Sequence, residues 1–336
     1  MRFTVLGAGA FGGALAAHLV RQQHEVILWG RNATALHQWR DTHTLAALPN
    51  IVLPPITVCE ALSSALNAQT EVVLIATPCA AFRQMLQAIH KYAPQASVIW
   101  VCKGFDSETG APLDTVARRV LGDTSSLAAL SGPTFALEVA SGLPSAVTVA
   151  SDSLAFAEQA AQWFHGETLR TYHLGDFVGV QVAGALKNVY AIAAGISDGL
   201  GFGANARAAL VTRSLAELTR LGVCMGGQTE TFMGLAGLGD LLLTCCDDQS
   251  RNRRLGLALA EGLSVDAACQ RIQQVVEGVS TARLALSLGQ RYRVDMPIAE
   301  QVHSVLFSGQ SPRTAVNMLL QRESRLEMPC AQRTPS

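Results

Sequence analysis

The sequence predicts an α/β fold: a domain built on a parallel-rich sheet, followed by an all-α domain. Three observations carry this. Short β-branched or apolar runs alternate with helical patterns as far as Ala150, the pattern of a parallel sheet with helices on both faces. From about Asp176 the strands give way to long Ala/Leu-rich helical stretches with Gly-rich punctuation. The 336 residues also exceed the size at which one hydrophobic core keeps growing.

Predicted strands occupy residues 3–6, 25–29, 72–76, 98–101, 127–131 and 146–150. Helices at 12–22, 33–40, 82–90 and 112–121 fall between several of them. Further helices follow at 178–196, 204–221, 251–261, 264–273, 277–290 and 296–307. This gives a first domain over residues 1–175 and an all-helical substrate or catalytic domain over 176–322. Residues 323–336, polar with two prolines, are expected to form a flexible tail.

Gly7-Ala8-Gly9-Ala10-Phe11-Gly12 connects the first strand to the first helix. Gly7 permits the tight turn, Gly9 lets backbone approach a pyrophosphate, and Gly12 lets helix and strand pack closely. The free amides and dipole of the helix start then attract phosphate. The first domain is therefore expected to be Rossmann-type and to bind a dinucleotide. The second strand ends Leu28-Trp29-Gly30-Arg31-Asn32, without the acid that accepts from the ribose of NAD. Arg31 instead suits a 2′-phosphate, which leans the cofactor to NADP(H) with NAD(H) as the alternative. The competing reading is a solvated surface arginine. By analogy of fold, Thr77-Pro78 falls where the nicotinamide half passes.

With 49% hydrophobic and 15% charged residues and a net charge of −1, nothing draws the chain to nucleic acid or anionic lipid. A small anionic ligand needs only a local cluster and stays open. The eight cysteines (59, 79, 102, 224, 245, 246, 269, 330) form no Cys-x-x-Cys pair and no ligand spacing with histidine. No metal site or disulfide framework is expected, and reduced thiols point to a cytoplasmic protein. Cys245 and Cys246 read as packing thiols, with a redox pair as the competing account. Residues 2–6 already read as a strand, so no signal peptide is expected. The apolar stretch 179–196 is short for a membrane span and is broken by Lys187, which favours a buried helix over membrane insertion.

Lys187 is the one charge in that stretch. Desolvation there lowers an ammonium's pKa and brings proton transfer near neutrality within reach. Gly184, Ala191 and Gly195 share its face and leave room for a ligand or a close backbone. The alternative is a lysine that snorkels to water. Lys103-Gly104 and Gly132-Pro133-Thr134 each follow a strand end, where open α/β sheets bind ligands. Asp240 is a lone carboxylate in a glycine-rich apolar segment, read either as an orienting group or as a helix cap. Ser250-Arg251-Asn252-Arg253-Arg254 opens a helix and is read either as a phosphate seat or as a solvated basic turn.

Together these residues resemble the bacterial NAD(P)-dependent glycerol-3-phosphate dehydrogenase family. The resemblance rests on eight ordered blocks, 7–12, 103–104, 131–136, 184–189, 197–207, 234–241, 250–252 and 274–278, and covers nearly the whole chain. It implies reversible reduction of dihydroxyacetone phosphate to sn-glycerol 3-phosphate for glycerophospholipid synthesis. It makes Lys187 the proton acceptor in the oxidative direction. Lys103, Gly132, Thr134, Asp240, Ser250, Arg251 and Asn252 would contact substrate. Phe11, Arg31, Lys103, Ala136, Arg251, Val275 and Glu277 would join Gly7, Gly9 and Gly12 at the dinucleotide. A homodimer is implied by the resemblance alone. The chain departs from the pattern at Ala10 and Gly13, where Ser and Thr are expected. It departs again at Cys246-Asp247-Asp248, where a Thr/Ser-rich segment is expected. Two carboxylates there would weaken phosphate binding unless they point outward.

Overall fold

The computed structural model describes residues 1–123 and 125–323. Its eight strands are β1 (Arg2–Leu6), β2 (Glu25–Trp29), β3 (Thr57–Cys59), β4 (Val72–Ile75), β5 (Ser97–Trp100), β6 (Leu127–Ser131), β7 (Ser145–Ala150) and β8 (Leu169–Leu174). They form one sheet in the order β3-β2-β1-β4-β5-β6-β7-β8. Every neighbouring pair is parallel except β6 and β7, which run antiparallel through Leu130 opposite Val149. The chain leaves β1 toward β2 on one side and returns at β4 on the other. The crevice beyond the carboxyl ends of β1 and β4 is thus the switch point where such sheets receive ligands.

The central strands read as unbroken apolar runs because both faces of the sheet are covered. Alternate residues go to opposite cores: Val72, Leu74 and Ile99 join one, Val73, Ile75, Val98 and Trp100 the other. Seven helices accompany the sheet: α1 (Ala10–Arg21), α2 (Ala33–Thr42), α3 (Leu62–Ala65), α4 (Phe82–Tyr92), α5 (Leu113–Leu121), α6 (Ala136–Ser141) and α7 (Leu154–Phe164).

Past β8 the chain is helical, with α8 (Phe177–Gly199), α9 (Gly203–Cys224), α10 (Thr229–Met233), α11 (Asp240–Cys246), α12 (Arg251–Ala260), α13 (Val265–Ile272), α14 (Glu277–Tyr292), α15 (Pro297–Phe307) and α16 (Pro312–Leu320). One wide turn over Leu235–Gly239, closed by Gly239 N–H on the Gly234 carbonyl at 3.1 Å, leads into α11. The centre is α8. It is apolar and long enough to cross a membrane, yet it is packed as a core helix, buried along almost all its length. Two glycines let α12 lie against it: a Cβ on Gly195 would stand 2.0 Å from the Arg253 carbonyl oxygen, and one on Gly256 2.1 Å from that of Ile192.

The predicted strands are all present, two with the same ends and four with ends shifted by one residue. The structure adds β3 and β8, which the sequence pattern did not reveal. Both are edge strands: β3 has three residues, and β8 mixes buried Leu169 with exposed Arg170, Tyr172 and His173. A strand paired on one side needs no continuous apolar run. The tail read over 323–336 lies, apart from Glu323, outside the described residues.

The α8–α12 seam leaves no space for a methyl group. Gly195→Ala is therefore expected to lower stability by at least about 2 kcal/mol, read as a drop in the denaturant midpoint.

Candidate functional site

The glycine turn after β1 is built as its residue types demand. Gly7 has φ +131°, and a Cβ on it would stand 2.6 Å from the Ala76 carbonyl oxygen. A Cβ on Gly12 would meet the Gly7 carbonyl oxygen at 2.0 Å, so α1 and β1 approach as only glycine allows. Gly9 borders open space, with nothing within 4 Å of where its Cβ would be. Just past the end of β4, Thr77 keeps a buried hydroxyl with no partner among the described residues. A cradle open at Gly9, amides at the start of α1 and an orphaned hydroxyl on the next strand fit a dinucleotide. Half-buried Phe11 lies at the start of α1, and Arg31 stands exposed just past β2.

The departure at position 13 has a local cause. A Cβ on Gly13 would stand 2.8 Å from Leu45 and 3.3 Å from Trp39, so the Leu45 side chain occupies the space a threonine would fill.

A second cluster forms where β5 and β6 end against α8. Lys103 follows β5; Ser131 and Gly132 close β6. Gly132 has φ +149°, and a Cβ there would stand 2.9 Å from the Val147 Cα, so β7 presses on it. The Thr134 hydroxyl donates to the Gly132 carbonyl at 3.3 Å. From the facing side come Lys187 on α8 and Asp240 at the start of α11.

Asp240 is fully buried, and both of its carboxylate oxygens are engaged. Lys187 Nζ donates to Oδ1, and Lys103 Nζ to Oδ2 at 2.7 Å. The Ser131 hydroxyl donates to Oδ2 at 3.5 Å. Lys187 also donates to the Thr244 hydroxyl at 2.8 Å, and that hydroxyl in turn donates to the Asp240 backbone carbonyl at 2.6 Å. Lys103 donates further to the Gly132 carbonyl at 3.3 Å. An ammonium has three donors. Each lysine thus commits two to protein partners and keeps one with no partner among the described residues.

Gly184 accommodates Lys103 rather than a backbone: a Cβ there would lie 3.3 Å from the Ser131 hydroxyl and 3.6 Å from Lys103 Cγ. Lys187 is 7% exposed, which rules out the snorkelling reading. Burial drives its pKa down to about 8, with the neighbouring Lys103 charge assisting and Asp240 opposing. Burial pushes the Asp240 carboxyl up, but the two ammonium groups outweigh it and hold the group below the usual carboxylate range.

The start of α12 lies beside this cluster. Ser250 caps the helix by accepting from the Arg253 amide at 3.2 Å. The amides of Arg251 and Asn252 have no partner within the helix. The Asn252 side chain turns inward, donating to Asn188 at 2.9 Å and accepting the Gly278 amide at 2.9 Å. Asn188 in turn donates to the Lys103 carbonyl at 3.3 Å. Arg251 reaches the carbonyl of exposed Val275 at 3.0 Å, and Glu277 accepts from the Cys79 amide at 3.5 Å. The first turn of α14 thereby meets the end of β4. Burial pushes the Glu277 carboxyl above its ordinary range, with Arg251 opposing.

The sequence-predicted residues thus fall into joined groups. Lys103, Gly132, Thr134, Lys187 and Asp240 make one knot, and the Asn188–Asn252 bond links it to Ser250–Asn252. Glu277 and Val275 sit at its flank, and Ala136 opens α6 after the loop carrying Thr134. Gly7, Gly9, Phe11, Gly12 and Arg31 form a separate group at the carboxyl ends of β1 and β2 and the start of α1. Thr244 escaped the sequence reading, and Ser131 and Asn188 lay within the matching blocks 131–136 and 184–189 without a role of their own. Thr244 carried a usable signal, four residues past Asp240 on one helix face.

Asp248, one of the two suspect carboxylates, is 72% exposed and pairs with Arg253 Nε at 2.8 Å. Asp247 accepts from the Gln249 amide at 2.8 Å. Both are engaged within their own loop or with α12. Cys245 is buried and Cys246 exposed, and burial pushes the Cys245 thiol up, which suits a packing role.

Residues 2–157 match the family model described as NAD-dependent glycerol-3-phosphate dehydrogenase N-terminus, and residues 176–317 match its C-terminus. The chain belongs to this family. It is 52% identical over 325 residues to the glycerol-3-phosphate dehydrogenase (NAD(P)+) of Thioalkalivibrio sulfidiphilus, covering 96% of this chain and 98% of that one. It is 51% identical to the enzyme of the same name from Pseudoalteromonas translucida, covering 96% and 98%. Among solved structures, glycerol-3-phosphate dehydrogenase from Coxiella burnetii superposes with a TM-score of 0.91 at 39% identity, over 96% of this chain and 99% of that one. The yeast enzyme, at 22% identity and a TM-score of 0.81, shares the fold over 95% and 99%.

Asp240→Asn would leave the buried ammonium of Lys187 and the half-buried one of Lys103 without their counter-charge. The variant is expected to lose about 3 kcal/mol of stability near pH 7. The deficit should shrink as rising pH neutralises Lys187, which denaturant unfolding at pH 7 and pH 9 would measure.

Proposed function

We propose that this chain reduces dihydroxyacetone phosphate to sn-glycerol 3-phosphate with NAD(P)H, and runs the reverse oxidation, supplying glycerophospholipid synthesis. The observation that carries the reading is the pair of lysines on the two oxygens of buried Asp240, at the ends of β5 and β6.

The bound nicotinamide supplies a hydride to the carbonyl carbon. Negative charge then gathers on the carbonyl oxygen, where a donor already in place stabilises it best. Lys187 has one N–H left for that oxygen, and Asp240 with Thr244 fixes its direction. With a pKa of about 8, Lys187 is mostly protonated at pH 7 and gives up its proton readily. The proton completes the alcohol, the lysine is left as the free amine, and solvent recharges it. Lys103 adds positive potential from the opposite oxygen of Asp240. The free amides of Arg251 and Asn252, with the Arg251 guanidinium, would seat the phosphate and so fix the carbonyl for attack. A protein that only senses the dinucleotide has no need of a buried lysine held in this way.

For the cofactor, Gly7, Gly9, Gly12 and Phe11 would line the dinucleotide crevice, with Ala136, Val275 and Glu277 on its facing side. Exposed Arg31 would hold the 2′-phosphate of NADP, with NAD as the second substrate. Thr134, Gly132 and Ser250 would border the smaller substrate. A division at Asp176, a cytoplasmic location and a homodimer complete the proposal.

Purified protein given dihydroxyacetone phosphate should oxidise NADPH. Lys187→Ala should lower kcat by about 10²–10⁴-fold while NADPH still binds; full activity in that variant would overturn the assignment. Reduction uses the ammonium form and oxidation the free amine. Reduction should accordingly fall as pH rises through about 8, and oxidation should rise over the same span. Arg31→Ala should weaken NADPH binding roughly 10-fold and leave NADH unchanged, as fluorescence titration would show.

A further inference from the structure

The first turn of α12 carries an arginine that touches neither crevice nor knot. Arg253 is 7% exposed, in the basic run that the sequence offers either as a phosphate seat or as a solvated turn. Its guanidinium gathers three elements. Nη1 donates to Asp198 Oδ2, in the last turn of α8, and to the Cys245 carbonyl at 3.2 Å, near the end of α11. Nε donates to Asp248 at 2.8 Å, in the loop between α11 and α12. Asp198 Oδ2 also accepts from Arg207 on α9 at 2.7 Å, so the anchor is itself held from a second side.

These elements carry the chemistry at their other ends. Lys187 lies about three turns along α8 from Asp198. Asp240 begins the helix whose end supplies the Cys245 carbonyl. The loop held through Asp248 leads directly to Ser250 and to the amides of Arg251 and Asn252. The Arg253 carbonyl is also the atom that faces Gly195 across the seam. Main chain and side chain of this one residue therefore both bind the α12 start to α8. A planar fork with several fixed donors can make such a junction; an ammonium, as a point charge, cannot make all of it at once.

We infer that Arg253 is a positioning residue for the known reaction: it sets the phosphate-binding start of α12 in register with Lys187, without touching substrate. The inference rests on the reading of Ser250–Asn252 as the phosphate seat. It separates Arg253 from Arg251, which would meet the phosphate directly. A displaced seat costs the phosphorylated substrate its orientation, but costs nothing to a substrate lacking the phosphate.

The test compares kcat/KM for dihydroxyacetone phosphate with that for unphosphorylated dihydroxyacetone in the full-length enzyme saturated with NADPH. Arg253→Lys should lower the phosphorylated value 10- to 100-fold, leaving the unphosphorylated value and NADPH affinity within about 2-fold. Asp248→Ala removes only the exposed anchor and spares the buried ones, so it folds even if the lysine variant does not. It should move the same ratio in the same direction by roughly 3- to 10-fold. Equal losses on both substrates, or an unchanged ratio in Asp248→Ala and in folded Arg253→Lys, would overturn the inference. Arg251→Ala tells the two readings apart. If it collapses the ratio while the Arg253 and Asp248 variants do not, the phosphate seat stands and the positioning role falls. If it leaves the ratio unchanged, the phosphate seat falls and the positioning role falls with it.

Discussion

Asp240 sits with no solvent exposure between two ammonium groups, one arriving from the end of a sheet strand and the other from the middle of the central helix. Removing three charges from water costs several kcal/mol for each ion, and their mutual attraction only offsets that. The cluster therefore contributes little net stability. What it contributes is a fixed geometry, because one buried carboxylate holds both lysines, one on each oxygen. Gly132, with its left-handed backbone pressed against β7, and Gly184, which makes way for the Lys103 stem, are both consequences of that convergence. So is the wide turn before α11, which brings the Asp240 side chain into the cluster.

The same carboxylate divides the labour between two chemically identical side chains. Lys187 is the more deeply enclosed, and loss of solvation lowers its pKa to about 8; its hydroxyl partner, Thr244, carries no charge to counter this. Lys103 shares its anion but faces a backbone carbonyl and lies closer to solvent. One residue is suited to yielding a proton and the other to holding a field.

Much of this was legible in the residues. The sheet's central strands announced themselves because burial on both faces forces continuous apolar runs, and the glycine turn because its backbone excludes other residues. Lys187 stood out as a charge where packing alone would place none. The edge strands β3 and β8 were hidden because a strand with one neighbour is free to mix polar and apolar residues. Asp240 was ambiguous between a cap and an orienting group because both roles use the same side chain at a helix start, and only the fold brings the lysines to it. Arg253 was invisible for a related reason. Among the three arginines of Arg251-Asn252-Arg253-Arg254 nothing local tells which one points inward; Asp198 and the seam decide that.

That seam has one more effect. Two rods joined backbone to backbone at Gly195 and Gly256 cannot slide along each other without collision, so the span between a lysine on one and the amino end of the other is a fixed length. On the proposed assignment it works as a gauge. A ketone with an extra carbon between its phosphate and its carbonyl, anchored at the same end, would bring that carbonyl to the wrong height, and no small side-chain adjustment in that seam would correct it. The enzyme's choice of the spacing between phosphate and carbonyl would then be written less in the residues touching the substrate than in two positions that lack side chains altogether.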